Sequence, residues 1–384
     1  MLSRRLLPYG VKDYYPAEAL RLGALLAKAE RILTLWGYSE IKLPLLEYKS
    51  LFEETLGEVD GIFTLPEYGR ELALRYDFTP QLLRFVLHQK RKLFPLRLYY
   101  KGETFNRNRQ LWEEPAVGFE LVGGEGSEAD AEVLVLTAEL LKEFGIEGVT
   151  LVVGHRTVYD RLSERFGTEA VNLKRYSREF EPYLRTYELT SDGWEELDLP
   201  GKAKEELRRL GKMLKNYGVR AVLLPSLAPE REYYSGIFFK ALAPSGKVLG
   251  GGGRYDRLFE RFGHAIPAAG ATLLIGKLLE EVNPTALLPV RIYAVEAGAP
   301  EGRGWELAKL LRERGFAVAR DTVPRNFEKS LEVAKEKGYD LLLAVGKDLP
   351  PGGTEVQTSF GRVGLFPLTE RGKRELEDLL RVLR

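Results

Sequence analysis

A chain of 384 residues is long enough for two or three domains, each with its own core. With 44% hydrophobic residues, 29% charged residues and a formal charge of +1, it reads as an ordinary globular protein with no global attraction to nucleic acid or anionic membrane, which argues against a tRNA-binding role. It has no cysteine and only three histidines (His88, His155, His264), none in ligand spacing, so disulfides, thiolate sites and cysteine nucleophiles are excluded and no metal site is expected.

No segment is apolar enough to span a membrane, and MLSRRLLPYG lacks the apolar core of a signal peptide, so the cytoplasm is the expected compartment. Along the chain, turn-formers at 8–19 lead into a helix from Ala19 to Trp36, with Leu22, Leu25, Leu26, Ala29, Ile32 and Leu33 at helical spacing and Gly37 as its stop. The strand YSEIKLPLLE follows, with Pro44 marking an edge or a bend. Residues 61–79 predict a hairpin with strands at 62–65 and 72–75, then a helix from TPQLLRFVLHQ. Two strand-like segments at 96–105 and 116–123 flank the polar loop NRNRQLWEEP. A helix is expected from Gly126 to Phe144, opened by Ser127 with acidic residues in its first turn.

Residues 155–222 change character, being rich in Arg, Lys and Glu with helical periodicity at Leu207, Leu210, Met213 and Leu214, and predict a helical insertion. Residues 223–256 read as two strands and a glycine turn: Tyr233, Tyr234, Ile237, Phe238 and Phe239 form the β-rich run, Gly250 to Gly253 the turn, and Arg254, Tyr255 and Asp256 follow directly. A strand and a helix are expected over 265–282, a linker over 283–289, and a small α/β domain over 290–384 from alternating strand and helix patterns. The core thus spans 1–282.

YYSG at 233–236 followed by GGGRYD at 251–256 resembles the signature region of the histidyl-tRNA synthetase family, where RGLDYYTG is followed by GGRYDGL. The resemblance extends over nearly the whole chain: the helix and Pro44 strand to the first class II motif, residues 96–123 to the second, AIPAAGATLLIGKLLEEV to the third, and 290–384 to an anticodon-binding domain. It implies an α+β fold, a class II synthetase-like antiparallel sheet flanked by helices, and a homodimer through the first motif. The family has two branches. One is the synthetase. The other is a catalytically silent regulatory subunit that joins the catalytic subunit of short-form ATP phosphoribosyltransferase in a hetero-octamer, activates it, and takes part in inhibition by histidine.

The synthetase branch meets the α-phosphate of ATP with arginines, whose rigid fork matches phosphate oxygens. Here Asn106 follows Phe105 where FRRE has its arginine, Pro229 falls at the head of the signature, and Lys277 replaces the arginine of the third motif. Arg107 or Arg109 is a substitute at the first position, and Arg231 lies two residues, about 7 Å in a strand, beyond the second. Ala116 stands where the synthetase has a glutamine for the ammonium group. What the resemblance keeps is a histidine-like pocket: Asp77 and Thr79 for the ammonium, Glu120 for the imidazole, and Tyr233, Tyr234 and Tyr255 as walls. It implies a regulatory subunit without catalytic residues or cofactor, with the catalytic subunit as partner and histidine as ligand. An active histidyl-tRNA synthetase and a diverged paralogue that binds protein or RNA are the alternatives.

Overall fold

The computed structural model describes residues 7–89, 93–282, 289–299, 302–323 and 325–383. The chain divides into two compact units, residues 1–286 and 287–384. The expected linker at 283–289 falls, except for Pro289, outside the described residues.

The first unit runs α1 (Pro16–Leu35), β1 (Ser39–Glu40), β2 (Leu46–Tyr48), α2 (Lys49–Leu56), β3 (Thr64–Glu67), β4 (Arg70–Leu74), α3 (Phe78–His88), β5 (Leu96–Phe105), β6 (Glu113–Val122), α4 (Gly126–Glu143), β7 (Thr150–His155), α5 (Arg156–Phe166), α6 (Thr168–Asn172), α7 (Glu181–Leu184) and β8 (Tyr187–Glu188). It continues with α8 (Gly201–Asn216), β9 (Ala221–Leu223), β10 (Ile237–Leu242), β11 (Val248–Arg254), α9 (Asp256–Glu260), β12 (Ala268–Leu274) and α10 (Ile275–Glu281). Nine strands form one sheet in the order β1-β5-β6-β12-β11-β10-β7-β9-β8, antiparallel except where β1 meets β5 and β7 meets β9.

Local chemistry accounts for the helix ends. Pro16 starts α1 where its missing N–H costs nothing, and the stripe Leu25, Ala29, Ile32 and Leu33 is buried. Asp77 caps α3, its Oδ1 accepting from the Thr79 N–H at 2.9 Å. Helix α4 has no side-chain cap, and Ser127 lies inside its first turn rather than opening it. The cause is tertiary: the Arg254 guanidinium donates to the carbonyls of Gly124 (3.3 Å) and Gly126 (2.9 Å), which sets where the chain enters the helix.

Two stretches differ from the sequence expectation. Residues 155–222 are mainly helical but also give the central sheet β8 and β9, because β9 pairs in parallel with β7. Gly250 to Gly253 do not form the turn. They lie inside β11, and Ala243 to Lys247 make the reversal. A Cβ on Gly252 would collide with the backbone of β12, so the glycines serve close strand packing. Tyr233 and Tyr234 precede β10 instead of belonging to it.

The second unit contains β13 (Arg291–Glu296), α11 (Arg303–Glu313), β14 (Ala317–Arg320), α12 (Phe327–Glu336), β15 (Leu341–Val345), β16 (Thr354–Thr358), β17 (Gly361–Pro367), α13 (Glu370–Arg374) and α14 (Leu376–Leu383). Strands β14, β13 and β15 are parallel, and β17 and β16 extend the sheet antiparallel. Its core includes Ile292, Leu307, Leu311, Leu341, Leu343 and Leu379, all fully buried.

A separate three-stranded sheet, β2-β4-β3, has its own polarity. Tyr48, Leu72 and Leu65 share one register row, with Leu46 and Leu74 in the row two residues along, so these apolar side chains lie on one face. Leu46, Tyr48 and Leu65 are exposed, whereas Ala73 and Glu47 on the opposite face are buried. An exposed apolar face of this kind is suited to a contact between copies of the chain, the homodimer that the family resemblance implies. The chain is expected to sediment as a homodimer at micromolar concentration, and Leu65→Asp to weaken self-association by about tenfold or more. A monomeric wild type would contradict this.

Candidate ligand-binding site

The six side chains expected to form a pocket, Asp77, Thr79, Glu120, Tyr233, Tyr234 and Tyr255, all line one cavity of about 140 Å³ over β6, β12 and β11. Glu120 is the most buried of its charged groups. Its partner across the sheet is Gly270, on which a Cβ would fall within the Glu120 carboxyl, so only glycine leaves room for it. The Tyr100 hydroxyl donates to Glu120 Oε1 at 2.7 Å and the Tyr255 hydroxyl to Oε2 at 2.6 Å. Burial pushes the Glu120 carboxyl up to about 8 even though both phenols favour its charged form. Burial also raises Tyr100 and Tyr255 well above the ordinary phenol value.

Asp77 reaches the cavity from the N-cap of α3. Its Oδ1 is committed to the Thr79 N–H, and its Oδ2 takes both Nε and Nη2 of Arg231 at 2.9 Å. Thr79 also meets the Tyr233 hydroxyl. Tyr233 packs edge-on against Tyr234 and Tyr255, and Tyr234 stacks on Phe238. The arrangement presents two carboxyl groups, Glu120 and Asp77, in an aromatic-walled cavity, suited to a small molecule with two donor groups.

The substituted positions fare differently. Asn106 anchors a loop: its Nδ2 donates to the Tyr76 hydroxyl at 2.9 Å and its Oδ1 accepts from the Asn108 N–H at 2.8 Å. Arg107 turns away, lying over the Phe63 ring, whereas Arg109 enters the cavity and donates to Thr104 Oγ1 at 2.8 Å. Ala116 is buried against Phe78 and Tyr100. Neither Pro229 nor Lys277 lines the cavity. Sequence reading missed Tyr100, because the pair Tyr99–Tyr100 does not say which ring faces inward. The register of Tyr100 against Gly118 settles it.

Behind the signature stretch lies a second cavity of about 390 Å³, lined in part by Asp130, His155, Glu206, Arg254 and Asp256. Its charged groups satisfy one another. Arg254 bonds Asp130 at 2.9 Å and Asp256 at 3.2 Å. His155 accepts from the Thr157 N–H through Nδ1, so its Nε2 carries the proton donated to Glu206 at 2.7 Å. Among the described residues no cluster of three or more His, Cys, Asp or Glu is placed to hold a metal, and no helix is long and apolar enough to cross a membrane.

A sheet of this order, floored by glycines and carrying an acid within a cage of tyrosines, defines a class II synthetase-like protein. The histidyl-tRNA synthetase family profile matches residues 10–181 and 190–278, and the chain belongs to that family. It is 31% identical to an ATP phosphoribosyltransferase regulatory subunit of Aquifex aeolicus, over 88% of this chain and 92% of that one. It is 28% identical to a histidine–tRNA ligase of Archaeoglobus fulgidus, over 89% and 91% respectively. In structure it is similar to a Bacillus halodurans protein described as an ATP phosphoribosyltransferase regulatory subunit/histidyl-tRNA synthetase, with TM-score 0.70 and 23% identity over 89% of this chain and 98% of that one.

The raised Glu120 carboxyl makes a pH prediction. Between the unfolded value of 4.5 and the folded value of about 8, the folded chain keeps a proton that the unfolded chain releases. This group's contribution to stability therefore falls as pH rises through that window and is constant above it. Glu120→Gln removes the titration. Relative to wild type, the variant should gain on the order of a few kcal/mol in unfolding free energy between pH 4.5 and pH 8. Denaturant titrations across that range would show it, and parallel curves for the two proteins would refute it.

Proposed function

We propose that this chain is a non-catalytic regulatory subunit of ATP phosphoribosyltransferase. It activates the catalytic subunit and takes part in feedback inhibition by histidine, in a hetero-octamer built on homodimers, in the first step of histidine biosynthesis. The regulatory-subunit name carried by the Aquifex relative supports the assignment. The observation that carries it furthest is Arg231: the nearest substitute for the signature arginine is paired with Asp77 instead of being presented to a phosphate. Arg109, the other guanidinium in the cavity, is held by Thr104, and Lys277 lies outside the lining. Removing one such phosphate-facing group typically costs about a hundredfold or more in rate.

In this reading the cavity is a sensor. Histidine places its imidazole against Glu120 and its ammonium against Asp77 and Thr79. The chain then biases two states of the complex by an energy of about 1–3 kcal/mol, the usual range for such coupling. The synthetase reading is favoured by the histidine–tRNA ligase relative and by the entry of Arg109 into a cavity whose Glu120–tyrosine end is complete.

Two measurements test the proposal. The purified chain should give no histidine-dependent exchange of pyrophosphate into ATP and should co-purify with a short-form catalytic subunit as one species in light scattering. Exchange activity would favour the synthetase. Separately, Glu120→Gln and Asp77→Asn should each weaken histidine binding by about tenfold to a hundredfold, the worth of a charge-assisted hydrogen bond. Unchanged calorimetric affinity in both would move the histidine site elsewhere in the assembly.

A further inference from the structure

Arg231 and Asp77 form a pair with an uneven geometry. A guanidinium and a carboxylate make their strongest pairing with two parallel bonds to two oxygens. Here Nε and Nη2 both converge on Oδ2, because Oδ1 is held by the N-cap bond to Thr79. Among the described residues no further hydrogen bond is made by Arg231, so Nη1 has no protein acceptor. The pair is not deeply sealed: the Arg231 side chain keeps 31% of its exposure, against 12% for Asp77. Arg231 also lines a neighbouring cavity of about 200 Å³ that shares Tyr76, Glu230 and Tyr233 with the first, so its side chain borders open space in both. The nearby Arg254 differs: Asp130, Asp256 and two backbone carbonyls hold it.

We propose that the Arg231–Asp77 pair is an internal stand-in for a zwitterion, and that the cavity admits a small α-amino acid by exchanging this pair, the ligand's ammonium going to Asp77 and its carboxylate to Arg231. The inference rests on the reading of the cavity as a histidine-like pocket and deepens it by naming how both ends of the ligand are read. A zwitterion replaces one ion pair by two. A ligand with the ammonium alone takes Asp77 and leaves a half-buried guanidinium without its anion. A ligand with the carboxylate alone strips Asp77 of its cation. Either loss leaves a desolvated charge unpaired, which is costlier than the absence of one contact. The pair therefore sets specificity for the complete amino acid backbone, while Glu120 reads the side chain.

The test is titration calorimetry of the full chain with L-histidine, histamine (no carboxylate) and 3-(imidazol-4-yl)propionate (no ammonium). Wild type is expected to bind L-histidine and to bind each half-ligand about a hundredfold or more weakly. In Arg231→Ala, affinity for L-histidine should fall by about a hundredfold while affinity for histamine rises about tenfold, because Asp77 no longer has an internal cation. Arg231→Gln is the milder second variant, with the same opposite movement expected should the alanine variant not fold. Equal weakening of both ligands makes Arg231 a structural support and overturns the exchange. Equal strengthening makes it a plug that never meets the carboxylate, and overturns it too. If wild type takes none of the three at about 10 mM, weaker than any millimolar site, the pair does not open and the inference fails. The regulatory-subunit reading then still stands or falls on the pyrophosphate-exchange and co-purification results, which do not involve these ligands.

Discussion

The structure of the site depends on one buried carboxyl. Glu120 sits near the C-terminal end of β6, a strand buried from Glu114 to Val122, and is completed by groups from three other strands or their ends. Tyr100 comes from β5, Tyr255 from the end of β11, and the space for the carboxyl from Gly270 of β12. Because strand side chains alternate faces, a slip of one residue in any pairing would turn one of these groups out of the cluster. An acid in an apolar setting without these donors would be costly. The four-strand register and the acid's satisfaction are therefore one constraint seen at two scales.

The signature stretch builds two opposite sides of the sheet. Tyr255 points to the front cavity, while its neighbours Arg254 and Asp256 line the cavity behind. The rear arginine is saturated by Asp130, Asp256 and the entry carbonyls of α4, and acts as a fastener between strand and helix. The front arginine, Arg231, meets a single oxygen. The two guanidiniums lie in one stretch of chain but differ in partner number. The proposed exchange at Arg231 rests on that difference.

Arg109 and Arg231 both have protein partners at the front cavity, and the neighbouring cavity is lined in part by Glu58, Asp60, Glu230 and Glu232. A site that transfers phosphate keeps guanidiniums available to meet developing charge, so the proposed regulatory role rests on how firmly these two pairings hold.

Much was legible in the sequence because local rules govern it. Helix positions followed from apolar spacing and from stops such as Gly37, and the pocket's six side chains, which line one cavity, from the likeness to the family. What the sequence left open was decided by contacts between distant segments. The glycine run could serve as turn or strand, and it became strand because β12 approaches too closely for any side chain. Ser127 fits an N-cap by type, but Arg254 sets the helix entry from 128 residues away. Tyr100 could not be told from Tyr99, since only the register of β5 on β6 says which ring faces Glu120. Arg231 could be placed near the missing arginine, but its pairing with Asp77, 154 residues earlier, exists only once α3 and the approach to β10 are folded together. Residue types determined which chemistry the chain carries. Strand register and long-range ion pairing, which depend on three-dimensional distance rather than local propensity, decided how that chemistry is arranged.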